Sequence, residues 1–205
     1  DVAPSRGLGD VYKRQVMTQQ GKNAIDLVLA ESLIELSAKK PIDKITIKEI
    51  TDKAGVIRPT FYNHFQDKYE LIEWIIKTEL LEPIKPLLNA GMIFEAIVLM
   101  LNNISANSVF YKKALKLEGA VTFNQIAMKC VYEMFMNIIS EKSTGKKSKY
   151  RWLTPEVIST YYAQSLCFIT EGWIAQGMDD IEPKEMAEAY MYLITRSMDD
   201  ILSEL

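Results

Sequence analysis

The chain has 205 residues, 48% of them hydrophobic and 25% charged, with a formal net charge of −3, which fits one large domain or a small one joined to a larger one. Its longest apolar runs, Met92–Phe94 and Ala96–Leu101, are interrupted by Glu95 and Asn102, so none approaches the roughly 20 residues of a membrane span and no membrane partner is expected. A single histidine, His64, and two cysteines, Cys130 and Cys167, exclude a Cys/His zinc site of familiar spacing and leave hydrolytic triads without a base, so neither a metal, a cofactor nor an enzymatic activity is expected, and the thiols read as small core hydrophobes.

Residues 1–16 show no helical period and no apolar signal-peptide core, and are expected to be a non-native extension ahead of a natural start at Met17. Ile25, Val28, Leu29, Leu33 and Leu36 recur at helical spacing, and Pro41 bars continuation of that helix. Thr46-Ile-Lys-Glu49 is a capping box that opens a second helix, and Gly55 supplies the left-handed residue that ends it. Arg58-Pro-Thr-Phe-Tyr-Asn-His-Phe65 is a short third helix whose cap position is held, against preference, by Ile57. Asp67-Lys-Tyr-Glu70 offers a second capping box for a fourth helix through Trp74 and Ile75, with Pro83 and Pro86 marking a break. Beyond them only helical periods follow, at roughly 90–106, 108–118, 121–142, 155–176 and 183–204. Ser143–Lys149 is polar, basic and glycine-containing, an exposed loop without the spacing of a phosphate-binding loop. The expected architecture is all-α, with about nine helices, a head over 17–66 and a helical body over 67–205.

Two short helices joined by a glycine turn have the polarity of a major-groove reader. Phe61 and Phe65, four apart, face the core and turn Arg58 toward guanine or phosphate and Asn63 toward adenine. Thr46, Tyr62, His64 and Lys68 suit phosphate contacts. Residues 39–68 hold seven Lys/Arg against four Asp/Glu in an acidic chain, which fits a DNA reader or simply a solvated helix face. The segment Thr46–Ile72, with its Thr-Ile-x-x-Ile start, Ala-Gly-Val turn and Thr-Phe-Tyr-x-His-Phe helix, resembles the TetR/AcrR family of transcriptional regulators over residues 24–80. The resemblance implies DNA contact by the Thr46 region, residues 57–64 and Lys68. Ile57 and Pro59, which flank Arg58 and precede Thr60 in that contact segment, depart from the small residues common there and make apolar or altered groove contacts the expectation at those two positions.

In 155–176 and 183–204 two neighbouring stripes are apolar or small on each helix, more than one buried face requires. A four-helix bundle between two protomers covers both, an ordinary monomer core being the alternative. The expected homodimer contacts are Tyr161, Ser165, Phe168, Gly172, Met191, Ile194, Met198 and Leu202. The resemblance implies an effector cavity in the body. Met100, Phe110, Tyr111, Phe123, Met128, Tyr132, Phe135 and Phe168 are its candidate lining, each otherwise readable as plain core. The resulting reading is a cytoplasmic regulator, a repressor by default, that binds a palindromic operator as a homodimer and is switched by an unknown small molecule. Phe110–Lys113 and Glu171–Trp173 with Gly177 also look like a subgroup with compact C-terminal regions, whose implied effector is a metal or a protein partner, as for a co-activator. A helical adaptor that binds no DNA is the remaining rival.

Overall fold

The computed structural model describes residues 24–142 and 148–204. The expectation for residues 1–16 and most of the 143–149 loop therefore lie outside the described residues. Among the described residues the fold is all-α, without a strand.

The head begins with α1 (24–37), which buries Leu29, Ala30 and Leu33, followed by a 3-10 turn at Ile42–Lys44. α2 (Ile47–Ala54) opens on the anticipated capping box: the Thr46 hydroxyl accepts from the Glu49 amide while the Glu49 carboxylate accepts from the Thr46 amide at 2.9 Å. It ends at Gly55, whose φ of 69° is a conformation that glycine adopts without steric cost. The chain then enters α3 (Arg58–His64), whose Ile57 makes no side-chain cap. Asp67 caps α4 (Lys68–Ile75) by accepting from the amides of Tyr69 and Glu70. The reciprocal carboxylate of Glu70 reaches the Gln66 amide, one residue before the cap. Phe61, Ile50, Leu71 and Ile72, all fully buried, form the head's core with Leu29 and Leu33. Phe65 packs edge-on against Trp74 at 6.3 Å and extends it toward the body.

α4 does not stop at Ile75. It runs into a π turn over Ile76–Leu81, closed by the Glu82 amide on the Lys77 carbonyl at 2.8 Å. Widening a helix in this way misaligns its carbonyls, and Asn103 repairs one by donating to the Glu79 carbonyl at 2.9 Å. α5 (Lys85–Asn89) is a short helix that the proline pair had suggested only as a break. α6 (Ile93–Ala106) and α7 (Ser108–Ala114) meet at 88°. α8 (Phe123–Lys142) and α9 (Pro155–Ala175) form the body's main helix pair, and α10 (Pro183–Thr195) packs on α6. Both Cys130 and Cys167 are buried and free.

The last helix is not continuous over 183–204. Arg196 is extended, and α11 (Met198–Glu204) restarts after it. Ser197 and Asp200 form a further capping box, with the Ser197 hydroxyl accepting from the Asp200 amide and the Asp200 carboxylate accepting from the Ser197 amide, each at 3.2 Å. That cap and α5 account for the eleven α-helices among the described residues, against the about nine expected.

Among the described residues no single helix is long and apolar enough to cross a membrane.

Candidate DNA interface and effector cavity

The head presents one exposed edge built from the turn and the first turns of α3. Ile57, at 69% exposure, stands beside exposed Arg58, Pro59, Tyr62 and Asn63, with Thr60 half-buried and Thr46 exposed at the start of α2. Burial of Phe61 and Phe65 on the opposite side turns this edge outward. The Arg58 guanidinium donates to the Tyr62 hydroxyl at 3.2 Å and lies over its ring at 5.9 Å, so both side chains are held on the same face one helical turn apart.

Two residues assigned by sequence to phosphate are occupied elsewhere. The Lys68 ammonium donates to the carbonyls of Ile42, Asp43 and Ile45 at 3.0, 2.8 and 3.1 Å. An ammonium has three protons, so all are committed to the end of the 3-10 turn, and burial lowers the Lys68 pKa from its ordinary value. His64 turns back into the head, its Nδ1 at 2.6 Å from an Asp26 carboxylate oxygen on α1, with both side chains largely buried. These contacts give Lys68 and His64 the geometry of internal ties between α1, the 3-10 turn, α3 and α4.

The local excess of lysine is also largely balanced. Lys40 pairs with Glu49, Lys48 with Asp52, Lys53 with Glu35 and Lys44 with Asp43, while Arg58 has no acidic partner among the described residues. The Lys40 ammonium, then the Thr46 amide and hydroxyl, hold the Glu49 carboxyl at about 2, below its usual range. Arg58 is therefore the cation of the reading edge that no neighbouring carboxylate offsets among the described residues.

In the body, an apolar cavity of about 50 Å³ lies between the π turn, α6, α7, α8 and α9. Of the expected lining, Met100, Tyr111 and Phe123 face it. Phe110 is buried behind Tyr111, edge-on at 5.1 Å. Met128, Tyr132 and Phe135 are half-buried on α8 away from it, with Phe135 against Tyr162 at 5.8 Å. Phe168 does not line the cavity: it is 77% exposed on the opposite side of α9. Helical period groups Phe168 with its neighbours but does not say which group turns inward, and here Ser159, Ala163, Leu166 and Cys167 do. The π turn supplies Ile76, Leu80 and Leu81, and the polar lining is Asn124, Thr170 and Glu171, none of which apolar periodicity singles out. Burial, then the nearby Glu79 carboxyl, pushes the Tyr111 hydroxyl pKa up.

Three ion pairs tie α4, the π turn and α8 together. Glu73 on α4 accepts from Lys77 at 2.7 Å and from Lys129 on α8 at 2.8 Å, and Lys77 reaches Glu133 of α8 at 2.8 Å. Burial opposes ionisation of Glu73, yet the two ammoniums keep its carboxyl below the usual range.

The candidate dimer residues divide. Tyr161, Phe168, Met198 and Leu202 are exposed, and Ser165, Gly172, Met191 and Ile194 are half-buried beside them. The other stripe of α10, Met186, Ala187 and Tyr190, is buried.

A helix-turn-helix head continuous with a helical body that encloses a cavity is the architecture of a one-component transcriptional regulator. The model for bacterial regulatory proteins of the tetR family matches residues 31–75, and that for a transcriptional regulator C-terminal region matches residues 92–196. The chain belongs to the TetR family, whose members are DNA-binding transcription factors and not enzymes. It is similar to the HTH-type dhaKLM operon transcriptional activator DhaS of Lactococcus lactis subsp. lactis (strain IL1403), with 26% identity over 167 residues, 80% of this chain and 83% of that protein. Among solved structures it resembles the dihydroxyacetone kinase operon activator DhaS, with a TM-score of 0.59, 21% identity and coverage of 83% of this chain and 93% of that one. It also resembles NalD of Pseudomonas aeruginosa, the secondary repressor of the MexAB-OprM multidrug efflux pump, with a TM-score of 0.56, 12% identity and coverage of 84% and 96%.

Proposed function

We propose that the chain works in the cytoplasm as a homodimer that sets Ile57, Arg58, Pro59, Thr60, Tyr62 and Asn63 into the major groove of a palindromic operator, with Thr46 against phosphate. The observation that carries this reading is the outward edge of α3: Phe61 and His64 turn inward, while Arg58 and Tyr62 are pre-paired at the surface. Arg58 has the donor geometry to read guanine and Asn63 to read adenine, and exposed Ile57 offers an apolar surface to a thymine methyl. His64 and Lys68 are assigned to holding the head together, for the hydrogen-bonding reasons above.

The homodimer reading rests on the stripe through Tyr161, Phe168, Met198 and Leu202, large apolar side chains that the single chain leaves in water. Joining two copies through α9 to α11 would cover them and set two reading heads on half-sites about 34–36 Å apart, or a multiple of it. An effector acts through the cavity, and only by binding one arrangement of the heads more tightly than the other. Repression needs no more than operator occupancy over a promoter and is the sign we propose.

The test is retention of DNA from upstream of the chain's own gene against competitor DNA over a salt series. Specific binding should fall steeply with salt, and Asn63→Ala should reduce preference at one base position per half-site while leaving competitor binding unchanged. If the dimer retains neither DNA at low salt, the reading fails.

A further inference from the structure

We propose that the body cavity is a binding site for a small uncharged molecule bearing hydroxyl or carbonyl oxygens, which the hydroxyls of Tyr111 and Thr170 grip while the apolar walls take its carbon skeleton. This assignment rests on reading the cavity as the effector site and names the chemistry that it accepts.

The first observation is a pair of orphaned polar atoms. The Tyr111 hydroxyl and the Thr170 hydroxyl are both buried without a hydrogen-bond partner, and both residues line the cavity. Tyr111 as a whole is 1% exposed. A buried hydroxyl left unpaired costs about 1–3 kcal/mol, so two at one cavity mark a place where an occupant completes the structure. Each hydroxyl can donate or accept, so alcohol and carbonyl oxygens both satisfy them.

The second observation is charge. The only ionisable carboxylate or ammonium in the lining belongs to Glu171, and its Oε2 already accepts from the Asn124 amide at 2.6 Å. Glu79 lies close enough to Tyr111 to disfavour its ionisation. No lysine or arginine lines the space. An anion would lose its hydration to a wall with no cation and with negative neighbours, which excludes carboxylates and phosphates.

The third is size. About 50 Å³ lies between the roughly 10–15 Å³ that holds one water and the roughly 150 Å³ apolar cavity that takes benzene. The occupant is therefore larger than one water and smaller than benzene, a compound of about two to five heavy atoms, or a longer one that displaces a wall. The wall that leads to the head is the π turn, through Leu80 and Leu81, so growth of the occupant acts on the segment continuous with α4.

The test uses the full-length protein with 13C-methyl methionine, reading the Met100 methyl signal, assigned by its loss in Met100→Leu. The probes are propane-1,2-diol and its charged counterpart lactate. A saturable shift with the diol is expected, weakened at least tenfold by Tyr111→Phe and by Thr170→Val, and absent with lactate. Tyr111→Phe removes an unpaired hydroxyl, so its melting temperature without probe should equal or exceed that of the parent. Should Thr170→Val not fold, Ala127→Leu, which fills the cavity from α8, is to abolish the diol shift instead. No saturable shift with the diol, equal shifts with lactate, or undiminished binding by the Tyr111→Phe protein would each overturn the assignment. Operator retention by the same preparations without probe reports separately on the regulator reading: diol binding lost with DNA binding intact sinks the cavity chemistry alone.

Discussion

The head and the body are built to opposite standards of completion. In the head nearly every buried polar group is answered by a named partner: Lys68 by three carbonyls, His64 by Asp26, the starts of α2 and α4 by their caps. In the body, two hydroxyls beside the cavity are unanswered, and large side chains from Tyr161 to Leu202 face water. A complete module keeps one shape whatever surrounds it, whereas an incomplete one takes its final shape from what it binds. That division suits a reader that must stay rigid and a receiver that must respond.

The comparison breaks first at Phe61. Phe61→Ala removes a fully buried ring from the head and should lower stability by about 3–5 kcal/mol, measured by urea unfolding. A loss under about 1 kcal/mol would mean that the head's core is looser than its contacts indicate. Phe168→Glu probes the other side: it should leave each chain folded yet yield monomers in sedimentation, with operator affinity reduced at least about 100-fold because a charge is buried at the joint. A variant that stays dimeric would place the joint elsewhere.

Lys68→Met separates tie from phosphate contact. As a tie, its loss strands three carbonyls and should cost about 1–3 kcal/mol of stability, while the salt dependence of DNA binding stays as it was. A reduction of the log–log salt slope by about 1 with unchanged stability would restore the phosphate role. Arg58→Ala touches no core and should leave the melting temperature alone, with about 1–3 kcal/mol of base discrimination lost in a site-selection experiment. The smallest effect is at Glu49. Its folded carboxyl titrates at about 2, below the 4.5 of an unperturbed glutamate, so its contribution is present above about pH 4.5 and fades as pH falls toward 2. Glu49→Gln should flatten the melting temperature over that interval and change nothing in its pH dependence near neutrality.

Legibility followed the distance between partners. The Thr46–Glu49 box, Gly55 and the inward pair Phe61 and Phe65 lie within a few residues of one another, and each was readable from local spacing. Lys68 meets carbonyls 23 to 26 residues away and His64 an aspartate 38 residues away. No local pattern announces such contacts, and both side chains looked free for phosphate. Ser197-Met-Asp-Asp200 was a readable cap, but the apolar period of α10 continued across it and hid the break at Arg196. Phe168 shows the limit of periodicity itself, which sorts a helix into faces without ranking them.

Cys130 and Cys167 are both buried, and burial pushes each thiol up to about 12. Almost no thiolate exists at neutral pH, and the thiolate is the form that reacts. Alkylation of the native protein is then gated by opening of the helices around α8 and α9, so its rate becomes a clock for that motion. Cys167 borders the cavity and Cys130 donates toward the Glu73 carbonyl on α4. Two natural labels thus stand on neighbouring body helices, one at the cavity wall and one against α4, ready to time the opening of each separately.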